Sequence, residues 1–420
     1  MIIRNLLDAL RNQAAPPPAV IPNPMPDYGV GYFGAQTVSG KRVSAETAKS
    51  IATAYRCGNI LSDDIASMPL QVYRRFGRNI EQIGPDPIIR NLAYQLEISP
   101  NRWMAPFIFK KTTVQWLIYW GNAYIWQPPG SYREWFILRS DNTYPTFDED
   151  GDLWYRTFAP SGRWLTIPSV EICHLMINST DGFVGRSVIT YAAETMGRQL
   201  GAHETQNLIN GKGLKPAGIM WVEGELNAAA RKRYRDEYNA QMSEEAGGMA
   251  IMDSKIAKFE QVTLKPVDAQ FLETIEATDA EIANFFGMPL YKLNMGKQSY
   301  ESNEQQNLDY LRTTLNPYLV QWEQVGRLKW LLRSEQQNTY LKFNREALLQ
   351  TDAKSRATYL KDKILSGQMS PNEARMIDDQ SPYQGGDSRY IPANMALVMD
   401  DGSLQTGLTS IAETKTMEGA

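Results

Sequence analysis

The sequence predicts an α+β fold, and three observations carry that prediction. Apolar residues recur at helical spacing before residue 70 and again after residue 185. Between these zones lie short aromatic and β-branched runs. Gly, Pro and Asp clusters separate the runs at hairpin intervals.

The elements follow in order. "MIIRNLLDALRNQ" carries Asp8 and Arg11 inside its apolar pattern, which favours a short amphipathic helix over a secretory leader. "AAPPPAVIPNPMP" is an extended linker. From Ser44 the residues Ile51, Tyr55, Leu61, Ile65 and Met68 mark one helix face. Pro69 ends that helix, and "LQVYRRF" reads as a strand. Glu97 to Trp120 reads as a further helical region. "NAYIWQ", "REWFILR", "TYPTF", "LWYRTF" and "EICHLMI" then read as strands of an antiparallel sheet. A long helix starts near Ser187 and meets its breakers at Gly211, Gly213 and Pro216. "AGIMWV" is a strand, Leu226 to Met242 a helix with Arg231, Lys232, Arg233 and Arg235, and "GGMAIM" and "KFEQVTL" are strands. Val267, Phe271, Ile275, Thr278, Ile282 and Phe285 form the stripe of a helix capped by Asp268 and closed by Pro289. A polar, helix-free loop follows. Leu308, Leu311, Leu315, Leu319 and Trp322 then mark a helix that Pro317 should kink or split. Ser370, Pro371 and Glu373 form a capping box ahead of "EARMI", and beyond Asn394 the polar, Gly/Thr-rich chain is expected to be a loose, flexible tail.

Several chemistries are excluded. A net charge of −4 gives no global basic field for nucleic acid, so any such contact is local. The two cysteines, Cys57 and Cys173, form no disulfide framework and fit a reducing compartment at synthesis. No apolar run spans a bilayer. "GKQS" invites a phosphate-binding loop, but Tyr291 stands where its first Gly belongs and Gln298 where its hydroxyl belongs. "FDEDGDLW" has its Gly misplaced for a calcium loop and reads as a hairpin turn. Cys173 and His174 point to opposite faces of a strand, which favours a structural histidine, and His203 lacks a partner at metal-ligand spacing. No Gly-x-Ser-x-Gly elbow occurs. The expectation is a non-enzyme without metal or cofactor. The basic cluster at 231–235 adjoins Asp236 and Glu237 and reads as a solvated face. The helix after Pro266 carries Glu273, Glu276, Asp279 and Glu281 with no cation, a face that would deter tight DNA binding.

Taken together, "AETAKSIATAYRCGNILSDDIASMPLQVYRR", "GNAYIW", "DGFVGRSVITYAAE", "IANFFGMPLYKL", "SNEQQNLDYLRTTLNPYLVQWE" and "GQMSPNEAR" resemble the portal proteins of tailed double-stranded-DNA bacteriophages, from about Val43 to Asn394. Val188 and Leu290 depart from the family by standing where Pro is common. The resemblance implies a homo-oligomeric ring, usually a dodecamer, at one capsid vertex. Double-stranded DNA passes through it regardless of sequence, and the large terminase subunit, a head-tail connector and the major capsid protein dock on it. No membrane is involved. The place implied is the virion, with the host cytoplasm during assembly. The implied parts are a helix and linker at 1–26, a wing at 27–186, stem helices at 187–210 and 267–287 and a clip at 211–266. A tunnel loop at 288–303, a kinked helix at 304–343, a crown at 344–394 and a tail at 395–420 complete them. Lys292, Asn294, Lys297, Gln298, Ser299 and Tyr300 would form the DNA-channel loop, with the two lysines giving salt-sensitive phosphate contacts. Two rival readings are a tail adaptor ring without a DNA-gripping role and an enzymatic component of the packaging motor.

Overall fold

The computed structural model describes residues 35–129, 134–159, 161–212, 218–222, 228–229, 232–233, 236, 256–261, 268–295, 303–348, 353–378, 380–389, 396–398 and 404–406. The chain divides into two compact units, Met1–Asn344 and Arg345–Ala420. The N-terminal helix and linker, "GGMAIM", and most of the helix expected at 226–242 lie outside the described residues.

The first unit begins with a small antiparallel pair, β1 (Ala35–Gln36) and β2 (Arg42–Val43), followed by α1 (Ala45–Ala48) and α2 (Ala52–Ser67). Ala54, Cys57, Gly58, Leu61 and Ile65 are the buried stripe of α2. Tyr55, read from the sequence as core, is 54% exposed, because it falls a step off that stripe. After β3 (Leu70–Phe76) and β4 (Asn79–Ile83) comes α3 (Leu92–Glu97), unassigned from the sequence, and the helix expected from Glu97 begins only at α4 (Pro106–Trp120). The cause is local. Pro100 disfavours helical backbone at Ser99, and the Asn101 carboxamide oxygen accepts from the N–H groups of Trp103 and Met104, both at 2.9 Å. Helix α4 packs along α2, and the absent side chain of Gly58 admits the Tyr119 ring: a Cβ there would come under 3.0 Å from it. The Tyr119 hydroxyl donates to the Ala54 carbonyl at 3.1 Å.

The aromatic zone folds as expected into antiparallel strands, but as separate sheets. β5 (Asn122–Trp126) lies between β6 (Phe136–Leu138) and β10 (Ile172–Met176), while β7 (Thr143–Phe147), β8 (Leu153–Phe158) and β9 (Trp164–Pro168) form another sheet. The acidic "FDEDGDLW" is the β7–β8 hairpin turn, with Gly151 at φ +84°. Tyr124, Tyr155, Ile167 and Ile172 join the two sheets in one apolar cluster. Helix α5 (Val188–Lys212), the hairpin strands β11 (Gly218–Val222) and β12 (Ile256–Gln261), and α6 (Asp268–Phe285) follow.

The return helix begins as α7 (Asn303–Tyr310), widens into a π turn at Leu311–Leu315 and continues as α8 (Asn316–Trp330). The interruption expected at Pro317 is this turn: the Asn316 N–H reaches back to the Leu311 carbonyl, immediately before the residue that has no N–H to give. Residues 339–343, unassigned from the sequence, form β13 (Thr339–Phe343) beside β3. In the second unit, α9 (Ala353–Leu365) precedes α10 (Pro371–Ile377), which carries the expected Ser370–Glu373 capping box. β14 (Ala396–Val398) pairs with β15 (Leu404–Thr406) within the stretch expected to be loose.

One junction fixes the start of α5 against the sheet. Gly121 ends α4 at φ +80°, and a Cβ on it would lie under 3.0 Å from the backbone of Arg186 and Ser187. A Cβ on Gly185 would likewise lie under 3.0 Å from the Gly121 carbonyl oxygen. The Asn122 side-chain oxygen accepts from the Gly185 N–H at 2.7 Å and lies 2.9 Å from His174 Nε2, while His174 Nδ1 lies 3.2 Å from the Tyr155 hydroxyl. His174 is therefore structural, as the sequence implies. Burial pushes its pKa down to about 3, with Lys329 adding to the effect.

Two outcomes follow from the junction. Gly121→Ala meets both a forbidden φ and a backbone clash, and should cost about 3 kcal/mol or more. Gly40→Ala, at φ +75° with open space around it, should cost only about 1 kcal/mol; thermal melts of the two variants compare them. His174 is neutral when folded, whereas an unfolded histidine protonates near 6.5. Its stabilising contribution is thus complete above pH 6.5 and is lost as pH falls towards 3. His174→Asn should melt lower than wild type at pH 7.5, with a difference that narrows at pH 5.

Candidate functional site

The described part of the expected loop, 288–295, directly follows the acidic helix in the chain. Helices α5 and α6 lie antiparallel, since Arg198 pairs with Glu281 at 2.6 Å while Gln199 donates to Asp279 at 2.7 Å. Asp279 also accepts from the Thr53 hydroxyl of α2 at 2.5 Å, so one carboxylate joins three helices. The hairpin of β1 and β2 lies along α5: Val38 N–H donates to Glu194, Lys41 pairs with Glu204, and Thr37 covers Gly197.

The acidic face is therefore not the free surface that the sequence suggests. Asp279 and Glu281 hold α6 to its neighbours, and one cation that α6 lacks is supplied by Arg198 of α5. Glu276 is exposed and has no ion partner among the described residues. The side chain of Glu273 lies outside them.

Helix α6 ends where Gly287, at φ +64°, turns the chain and Pro289 prevents its continuation. The Gly287 carbonyl accepts from the Thr314 hydroxyl at 2.6 Å, which docks the π turn on this helix end. The stretch that follows, read from its polarity as helix-free, is not wholly irregular. Leu290–Leu293 form a 3₁₀ turn, with Leu293 buried beneath it and Asn294 closing it at φ +58°. The Met295 N–H bonds the Leu290 carbonyl at 3.0 Å.

Lys292, expected as a free phosphate contact, lies within the fold. Its ammonium is 3.5 Å from Asp64 and 4.8 Å from the centroid of the Tyr310 ring, and its backbone carbonyl accepts from Arg56 at 3.4 Å. Burial pushes the Asp64 pKa up, against the opposing charge of Lys292. The Tyr310 phenol is also raised, mainly by burial and then by Asp64. Asn294 is exposed. Lys297, Gln298, Ser299 and Tyr300 lie outside the described residues. Asp64, Tyr310, Arg198 and Gln199 escaped the sequence reading because their roles depend on partners far away in the chain. Among the described residues no His, Cys, Asp or Glu cluster is arranged to hold a metal, and no helix is long and apolar enough to cross a membrane.

Comparison with known proteins gives this arrangement a context. The family described as phage portal protein matches residues 52–379. The portal protein of Enterobacteria phage HK97 is 27% identical over 377 residues, 86% of either chain. A probable portal protein of Streptomyces phage phiC31 is 25% identical over 411 residues, 89% of this chain and 85% of its own. A crystal structure of an HK97-family phage portal protein from Corynebacterium diphtheriae shares the fold with a TM-score of 0.54 at 15% identity, over 73% of this chain and 96% of that one. A chain from the neck of an empty gene transfer agent particle does so with a TM-score of 0.53 at 21% identity, over 79% and 91%.

The two exposed-helix carboxylates should separate by mutation. Asp279→Ala removes the acceptor shared by Thr53 and Gln199 and should lower stability by about 1–3 kcal/mol. Glu276→Ala should change it by less than about 0.5 kcal/mol, and denaturant titration of both variants is the measurement.

Proposed function

The chain belongs to the phage portal protein family, and from that premise we propose that it forms the ring at one capsid vertex through which double-stranded DNA is packaged and ejected. The observation that carries this reading is the extent of the family match. It runs through both arms of the antiparallel pair α5 and α6, the turn after it and the return helix. The similar gene transfer agent necks were computed with sixfold and twelvefold symmetry, which supports a ring for this chain and, more finely, a dodecamer.

Within that ring, residues 27–186 would be the wing, α5 and α6 the stem, 211–266 the clip, 288–303 the tunnel loop and 344–394 the crown. The clip would receive the large terminase subunit during packaging and the head-tail connector afterwards, and the wing would meet the major capsid protein. The protein is structural in this reading, and the energy for translocation comes from the terminase. Lys297, Gln298, Ser299 and Tyr300 would touch the polymer from the loop. Phosphate contacts of this kind are individually weak and carry no sequence information, but repetition around a ring makes their sum strongly salt-dependent.

Cryo-electron microscopy of the purified protein should reveal closed rings with a central passage, and the protein alone should not hydrolyse ATP. Phage carrying Lys297→Ala should assemble rings normally yet package shorter genomes or yield fewer full particles. Monomers at micromolar concentration would sink the ring, whereas normal genome length and yield would sink the loop's role.

A further inference from the structure

Adjacent residues of the 3₁₀ turn reach in opposite directions. Tyr291 donates its hydroxyl towards the Gln306 carbonyl and the Asn307 side chain, 3.1 and 3.2 Å away, at the start of the return helix. Lys292 reaches back to Asp64 on α2 and lies over Tyr310, while Arg56 holds its carbonyl. We propose that Lys292 is a positioning residue that tethers the root of the channel loop to α2 and α7, and that it is not itself a contact for DNA. The loop's role rests on the portal reading; the tether is a property of one chain.

Three observations carry the proposal. The side chains of Lys292 and Asp64 are only 24% and 21% exposed, and the amine already faces Asp64 and the Tyr310 ring, with which a phosphate would compete. The Asp64 oxygen that faces Lys292 is buried without a hydrogen bond, which makes the ammonium its compensating charge. Finally, the turn is also closed on itself through the Met295 N–H and fixed beneath by buried Leu293, so Lys292 is held by its backbone as well. A lysine meant to follow a moving polymer would need a free stem and a solvated head. This one has its head placed between Asp64 and the Tyr310 ring.

A mutant cycle on the full-length protein tests the tether directly. Lys292→Met keeps the stem but leaves Asp64 buried and uncompensated. It should lower the melting midpoint by about 2–4 °C. Adding Asp64→Asn should restore most of that loss, and Lys292→Arg should retain it from the outset. Strictly additive losses, or a Lys292→Met protein as stable as wild type, would overturn the proposal. Phage complementation tests the second half. A tether predicts that Lys292→Met and Asp64→Asn give the same packaging defect, with the double variant no worse than either. A phosphate contact predicts instead that Lys292→Met is defective while Asp64→Asn packages normally, and that result overturns the proposal. Should Lys297→Ala and the tether variants all package normally while the melts still show coupling, the tether stands and the channel-loop reading falls.

Discussion

The fold depends on one buried amide oxygen. Asn122 sits where α4 turns into β5, and its side chain binds the Gly185 N–H ahead of α5 while facing His174 on β10. A buried polar group of this kind is tolerable only when its partners are in place, so it specifies how the sheet and the long helix meet. The two glycines make the approach possible by leaving out a side chain each. Because α5 departs from this point, its direction, and with it the placement of α6 along it, is inherited from a contact in the sheet.

Charge serves the same end. The sequence presents α6 as a row of acids, which suggests repulsion from a polyanion. In the fold, two of those acids are occupied by Arg198, Gln199 and Thr53, and the nearest loop lysine by Asp64. Such part-exposed pairs contribute modestly to stability, but each specifies a register between helices. The helix pair is thus aligned by groups that sequence reading assigns to its solvent face.

What was legible in the sequence was what is local. The hairpin at Gly151, the capping box at Ser370, the interruption at Pro317 and the structural character of His174 all follow from residues within a turn or two. The late start of α4 was missed because Asn101 competes with helix through its own side chain, a choice that apolar periodicity does not register. Strand β13 was missed for a different reason: its partner β3 lies more than two hundred residues earlier. The candidate site divides in the same way. Polarity located the turn after Pro289, but only the tertiary fold joins Lys292 to Asp64. The wing, stem, clip and crown came from family resemblance and remain part of the proposed function.

The π turn at Leu311–Leu315 has a further consequence for how this chain can vary. Each of its rings encloses one residue more than an α-helical ring, so the helix from Asn303 to Trp330 carries one extra position within Leu311–Leu315, where the Thr314 hydroxyl donates to the Gly287 carbonyl. Losing that position would barely shorten the helix. It would instead rotate everything before it by about 100° relative to α8, carrying Tyr310 away from Lys292. Drift in the length of this helix is therefore constrained angularly, and relatives that lack the extra residue must aim their loop by other contacts.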